Sequence, residues 1–383
     1  MSNESQGYSE TFKDGNTIRR SGKFYRGENA NFLPSDQTYK SSEIIDKYLV
    51  KGTVPREPFI DVKTSIVAFG SCFANNISNF LQERGYNVST RKDDLAYISR
   101  MGAGMVNTFA IRQQFEWAWL NKSPQTQLWH GYDALALGYD EKVRLKTVKL
   151  LDKSDVFIIT LGLAEVWYDE PTEEVFWRAV PKAHFDASRH KFRLSSVAEN
   201  LKNLNAIYSL IREHRPDAKI VFTLSPIPLV ATFRDISCEM ANVTSKSILR
   251  VALDEFMRSI NDANERVFYF PSYEIVLNAF NNQFMEDRRH IHKHVLDFNM
   301  KVFEKYFCKS RITNEELVSH LRKAQKLDRR VGRYGHWSVL RNLHRTAFKP
   351  DKPPILIRLI KAMERRQAKT EYSRLLQVRR NQD

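Results

Sequence analysis

Short apolar runs and amphipathic stretches alternate through the middle of this chain. Runs at 65–69, 87–90, 156–161, 219–223 and 267–270 are brief and rich in β-branched or aromatic residues, the pattern of buried strands. Between them apolar residues recur at helical spacing. Ala74, Ile77, Phe80 and Leu81 do so ahead of Gly85, and Val197, Leu201, Leu204, Ile207, Tyr208 and Ile211 do so more regularly over 195–213. A further helix is predicted over 245–260. Strands alternating with helices predict an α/β fold, a mostly parallel sheet covered by helices on both faces. Ligands of such sheets sit at the carboxyl ends of the strands. Gly70 with Ser71, Gly162, and Ser225 with Pro226 all lie at such ends.

The segment 165–180 interrupts the alternation. Val166, Trp167 and Tyr168 are separated from Val175, Phe176 and Trp177 by a polar turn containing Pro171, which reads as a hairpin. Its aromatics suit either a wall of a binding cleft or ordinary core packing. Residues 1–60 are polar and read as an extended arm, 61–308 as the folded domain, and 309–383 as a basic helical extension. Within the extension, 313–330 is helical and charged. After Pro353 and Pro354 a second stretch places Leu356, Leu359, Ile360 and Met363 along one helical side, with Arg358, Lys361, Arg365 and Arg366 among them.

Charge sharpens that division. Residues 309–383 hold 20 Lys and Arg against 7 Asp and Glu, which is +13 of the formal +15. The basicity therefore belongs to the tail, and an anionic membrane surface or an acidic protein is the partner expected for it. The competing reading is a helix packed on its own domain with a solvated basic face. No nucleic-acid-binding motif accompanies the charge, so nucleic acid is not an expected partner. The start of the chain lacks an apolar leader and no run reaches the roughly 18 apolar residues of a membrane span. A cytoplasmic protein, peripheral at the inner membrane face, is the expectation. The three cysteines, Cys72, Cys238 and Cys308, form no metal or disulfide pattern.

The chemistry concentrates where the first apolar run ends. A strand passing into a helix through Gly70 and Ser71 places a hydroxyl at the helix start. Free N–H groups there can hold an oxyanion. An isolated Gly-Ser at this place is first of all a helix cap. As a nucleophile it needs a base and a group to orient that base. Asp287 and His290, three residues apart after the last predicted strand, have the spacing for a carboxylate to hold one imidazole nitrogen and leave the other free. Ser71 Oγ is then expected within hydrogen-bond reach of His290. Cys72 is a second candidate nucleophile, though its side chain is expected to point into the core. His290, His292 and His294 alternate, but no carboxylate or thiol completes a ligand set, and neither metal nor cofactor is expected.

In these motifs the chain resembles the GSCFA family, a branch of the SGNH/GDSL hydrolase-like superfamily. Residues 70–74 read GSCFA, and TLGLAEVW at 160–167, TLSPIP at 223–228, SKSILR at 245–250, YFPSYE at 269–274 and DRRH at 287–290 follow in order. The resemblance spans about 61–307. It implies a three-layer α/β/α sandwich and a triad of Ser71 as nucleophile, His290 as base and Asp287 as its orienter. It implies an oxyanion hole from the Ser71 N–H, a glycine of MGAGMVN at 101–107, taken as Gly104, and an asparagine. The usual asparagine position reads Ala164, a departure for which Asn107 is the expected substitute. Ile291 departs from the proline often found after the histidine. Gly162, Glu165 and Trp167 are expected to bind substrate, Glu165 either by accepting substrate hydroxyls or by pairing with an arginine.

The activity implied is a serine-dependent O-acyl esterase or acyltransferase acting on acylated carbohydrate or polysaccharide precursors. The alternative is a weak or inactive relative that binds glycans or acts as a scaffold docked through the basic tail. The Ala164 departure favours the alternative, and the intact Ser71, Asp287 and His290 oppose it.

Overall fold

A computed structural model describes residues 7–11, 17–21, 31, 33–35, 37–92 and 95–347, with 7–11, 17–21 and 333–347 as backbone only. The second basic stretch after Pro353 lies outside these residues. Near the start, β1 (Gly7–Thr11) and β2 (Thr17–Ser21) pair antiparallel. The elbow follows as β3 (Ile66–Gly70) and α1 (Cys72–Gln82). The chain then forms α2 (Tyr97–Arg100), α3 (Thr108–Leu120) and α4 (Glu141–Asp152). The central strand β4 (Val156–Leu161) leads into β5 (Glu165–Asp169), β6 (Glu174–Val175) and β7 (His190–Leu194). Next come α5 (Val197–His214), β8 (Lys219–Leu224), α6 (Cys238–Ser259) and β9 (Val267–Tyr269). The last elements are α7 (Ser272–Ala279), α8 (Lys293–Phe307) and α9 (Asn314–Ala347).

The main sheet has four parallel strands in the order β3-β4-β8-β9. Strand side chains alternate between two cores, as the pleat requires. Val67, Phe69, Phe157, Ile159, Ile220 and Phe222 face α3, α5 and α6. Ile66, Ala68, Val156, Ile158, Val221 and Phe268 face α1, α7 and α8. Helices thus cover both faces, and the fold is the three-layer α/β sandwich that the alternation predicts.

Local sequence explains the helix starts. Ser71, Asn107, Asp140, Ser196 and Ser237 each cap a helix with a side-chain acceptor, and Ser196 with Glu199 forms a capping box. The run at 87–90 does not become a strand. Only Val88 bridges to Ile66, and 89–91 close into a 3-10 turn. The hairpin over 165–180 forms, and β7 joins β5 on its other side to make a three-stranded sheet.

Both expected boundaries of the folded domain shift. Residues 1–60 are not simply an extended arm, because Ile44, Ile45, Leu49, Val50 and Ile60 are buried in the α1/α8 core. At the other end Leu317, Val318, Leu321 and Ala324 of α9 are buried there too, and buried Asp328 accepts N–H bonds from Asn281 and Asn282. The first part of the expected tail is therefore core, and the compact unit runs to Arg329, with 330–383 a second unit. Among the described residues no helix is long and apolar enough to cross a membrane.

Candidate active site

Ser71 ends the strand and begins the helix. Its Oγ caps α1 by accepting the Phe73 N–H at 3.2 Å, and Thr160 Oγ1 donates to it at 3.1 Å. A hydroxyl has two acceptor directions and one proton to give. Both acceptor directions are filled, which leaves the proton for a base. Gly70 makes this junction possible. Its φ of +131° is a glycine conformation, and a Cβ there would lie 2.1 Å from the Thr160 carbonyl oxygen. Gly162 stands beside it, and a Cβ there would meet Val106 at 2.9 Å and the Ser71 Cβ at 3.4 Å.

The Asp287–His290 pair forms as its spacing predicts. Asp287 accepts the N–H groups of Arg289 at 3.0 Å and His290 at 2.9 Å, and its other oxygen pairs with His290 Nδ1. The Arg289 and His290 N–H groups and the imidazole hold its carboxyl well below the usual carboxylate range. Arg288, at φ +55°, makes the tight turn between them. Hydrogen bonds from Met285 N to His290 O and from His292 N to Gln283 O close the loop, and buried Ile291 anchors it to the core. Ile291 thus serves as an apolar anchor for the loop.

Helix packing brings this turn to the corner where Ser71 lies. The carbonyl of Phe307, at the end of α8, accepts the N–H groups of Phe59 and Ile60, just ahead of β3. The helix therefore runs down from the carboxyl edge of the sheet, as α1 does, and the two share one core. Arg84, beyond the end of α1, pairs with Glu304 of α8 at 3.3 Å. Cys72 lies 12 residues before Arg84, and Lys293 lies 11 before Glu304. At about 1.5 Å per residue the two helix starts are level. The expected Ser71–His290 hydrogen bond is nonetheless absent among the described residues. Ser71 is 4% exposed and bonded to Thr160, whereas the His290 side chain is 68% exposed and bonded within its own turn.

The expected oxyanion hole is corrected. The Ser71 N–H donates to Thr160, at 2.6 Å to Oγ1 and 3.1 Å to the carbonyl. The Gly104 N–H donates to Met101 O at 2.7 Å. The Asn107 amide is buried, its NH2 donating to the carbonyls of Phe176 and Trp177 and its oxygen accepting the Ala110 N–H as the α3 cap. All three are engaged in holding the fold. The N–H of Cys72, at the first position of α1, has no hydrogen bond among the described residues. The Cys72 thiol also differs from expectation, being exposed rather than turned into the core. A lone Cys-after-Ser gives no sign of which way its side chain points.

Glu165 takes the arginine alternative. Arg234 lies 3.4 Å from Oε1, while Oε2 is buried without a hydrogen-bond partner among the described residues. Trp167 is half-buried against Phe185, Phe192 and Phe233, while Phe176 and Trp177 are core residues. The hairpin aromatics therefore pack on one another and on the core. A cavity of about 190 Å³ lined by Phe109, Arg112, Gln113, Glu116 and Glu174 contains none of the expected site residues. No group of three or more His, Cys, Asp or Glu among the described residues is placed to hold a metal ion.

Two supports were not expected from the sequence. Lys246 is fully buried and donates to the carbonyls of Gly162 at 2.6 Å and Ser225 at 2.8 Å, and burial pushes its pKa down to about 7. Its neighbour Ser245 accepts the Ala164 N–H at 2.7 Å. Together they fix the exits of β4 and β8, and Ala164 is a buried part of that frame. The signal was a lysine in register with Leu249, Leu253 and Phe256 on the apolar face of α6. The other support is Thr160, legible only as part of the 160–167 motif.

A family model described as the GSCFA family matches residues 65–303. No curated protein is significantly similar to the chain.

Proposed function

Since the chain belongs to the GSCFA family, we propose that it is a serine-dependent O-acyl esterase or acyltransferase of SGNH type, acting on acylated carbohydrate or polysaccharide precursors. The observation that carries this reading is the shared corner. Ser71 caps α1 with its proton not used by either bond, and the Asp287–His290 pair, whose second imidazole nitrogen has no hydrogen bond among the described residues, precedes the level, parallel α8. On this reading His290 swings in to take the Ser71 proton, Asp287 holds its tautomer, and Ser71 Oγ attacks the acyl carbonyl. The Cys72 N–H is the available donor for the oxyanion. Release of the acyl group to water gives an esterase, and release to a sugar hydroxyl a transferase.

The test is cleavage of p-nitrophenyl acetate by the purified protein and its Ser71→Ala, His290→Ala and Cys72→Ala variants. The reading expects loss with the first two and retention with the third. Undiminished cleavage by Ser71→Ala would exclude the assigned nucleophile. Loss with Cys72→Ala alone would move the role to the thiol, a second reading favoured by its exposure.

The engaged N–H groups of Ser71 and Gly104 and the engaged Asn107 amide favour a weak or inactive glycan-binding or scaffold protein instead. No ester cleavage by any form, including sugar acetates, supports that alternative. In either case 330–383 is proposed to dock a cytoplasmic protein on an anionic inner membrane face or an acidic partner, since it carries 14 Lys and Arg against 4 Asp and Glu. Removing the residues after Arg329 is expected to abolish salt-sensitive sedimentation with phosphatidylserine vesicles while ester cleavage persists. A full-length protein that ignores those vesicles at low salt would exclude the membrane role.

A further inference from the structure

An arginine beside Gly104 has no counter-charge among the described residues. Arg178 is exposed, and among the described residues it makes neither a hydrogen bond nor an ion pair. Its guanidinium lies over the Tyr132 ring, 4.6 Å from the centroid. Stacking of this kind holds a planar cation in place without neutralising it.

The neighbours tie that cation to the elbow. Nη1 of Arg178 lies 3.6 Å from where a Cβ on Gly104 would sit. Gly104 follows Ala103, whose carbonyl is 3.9 Å from the Cys72 sulfur. Tyr132 is within electrostatic reach of both sides. Packing raises its phenol pKa, Arg178 pulls it down and Cys72 pushes it up. A short path therefore runs from Arg178 through Gly104 and Ala103 to Cys72, next to Ser71.

Local carboxylates do not occupy the arginine. Asp133, beside Tyr132 in sequence, accepts the Leu135 N–H at 3.0 Å within its own turn. Asp186 accepts from the Ser188 N–H and hydroxyl. Residues 178–184 add Lys182 and His184 and no acid. A surface guanidinium ordinarily contributes little when paired. Left unpaired and pre-positioned by an aromatic ring two short steps from the elbow, a guanidinium suits a planar or tetrahedral oxyanion.

We propose that Arg178, held on Tyr132, binds an anionic group of the substrate, a carboxylate or a phosphate, close to the ester that Ser71 attacks. The proposal rests on the hydrolase reading for the ester and on the geometry of Arg178 for the anion. Tyr132 is a positioning residue, since it acts by fixing the guanidinium.

The test compares p-nitrophenyl acetate with the mono-p-nitrophenyl ester of succinic acid and with 4-acetoxyphenyl phosphate. These place the charge on the acyl side as a carboxylate and on the alcohol side as a phosphate. For wild type, at least one anionic ester should exceed its neutral counterpart (p-nitrophenyl or phenyl acetate) in kcat/KM, with an advantage that shrinks as salt rises. Arg178→Gln should lower the anionic-to-neutral ratio at least tenfold, chiefly through KM. Tyr132→Leu should lower it less, and Arg178→Lys should restore part of it. A ratio that Arg178→Gln leaves within twofold overturns the proposal while ester cleavage still stands.

A second arm does not depend on turnover. Succinate and inorganic phosphate are titrated into the Ser71→Ala protein and followed by amide chemical shifts. Saturable shifts that Arg178→Gln abolishes support the anion site even if no ester is cleaved. Absence of saturable shifts with both anions overturns it.

Discussion

Ser71 and His290 are held in opposite ways. The Ser71 hydroxyl is buried between the α1 backbone and Thr160, on a junction whose glycine admits no Cβ. The His290 ring is exposed, and its partners lie within a loop that closes on itself. One half of the site is fixed by the sheet, the other by four consecutive residues. Damage to the first half should therefore register as lost stability before lost chemistry. Damage to the second should register in chemistry and in the loop itself, with little change in global stability.

The strongest way to break that contrast is Gly70→Ala. The added methyl group collides with the Thr160 carbonyl in a backbone conformation that alanine avoids. A loss of about 4 kcal/mol or more is expected in denaturant unfolding. A near-normal midpoint would mean that the elbow is not rigid.

Thr160→Val is milder. It keeps the shape of the side chain but removes the hydroxyl that bridges the Ser71 N–H and Oγ. A loss of about 1–3 kcal/mol is expected, the cost of leaving a buried group unpaired. The Ser71 N–H keeps its bond to the Thr160 carbonyl, and the nucleophile's proton is untouched, so turnover per folded molecule should not fall in step with stability. His290→Ala sits at the other extreme. Its stability should stay within about 0.5 kcal/mol of wild type, while model-ester cleavage falls at least about a hundredfold, as for loss of a general base. Equal stability losses for the two variants would erase the contrast.

The smallest effect concerns pH. The Asp287 carboxyl is held below its usual range by the Arg289 and His290 N–H groups and the imidazole. A lowered folded-state pKa contributes stability that is present above the unfolded value of about 3.9 and lost as pH falls through the folded value. Local protection of the 283–292 loop, read by hydrogen exchange, should hold from neutrality down to about that unfolded value and weaken only below it. Asp287→Asn should weaken it at every pH. A loop that loosens in wild type between pH 5 and 7 would contradict this assignment.

The parts legible in the sequence were those written in local pattern. Periodicity and turn residues gave the strand-to-helix elbow, β4, β8 and the long helix α5, because alternating burial leaves its mark on consecutive residues. The Asp287–His290 pair was legible because its bonds span three residues. What stayed hidden depends on distant partners. Asn107 reads as a spare amide until Phe176 and Trp177 come to occupy it. Val88 looked like part of a strand, but only one residue meets Ile66 before the chain turns. The burial of Leu317 and Leu321 was masked by the charges around them, which lie on the other sides of the same helix.

Lys246 carries a consequence for how this protein takes up and releases protons. In the unfolded chain its amine has a pKa of about 10.4, and burial brings it to about 7 in the folded state. Between those values folding expels a proton, so stability should climb as pH rises through that interval. Below it the full burden of a sequestered charge remains, offset by the two carbonyls it serves. The same seclusion makes the amine a natural probe. An acylating reagent that modifies surface lysines at once should reach Lys246 only when the β4 and β8 exits part, so the rate of its modification clocks the opening of the sheet at the edge where Ser71 emerges.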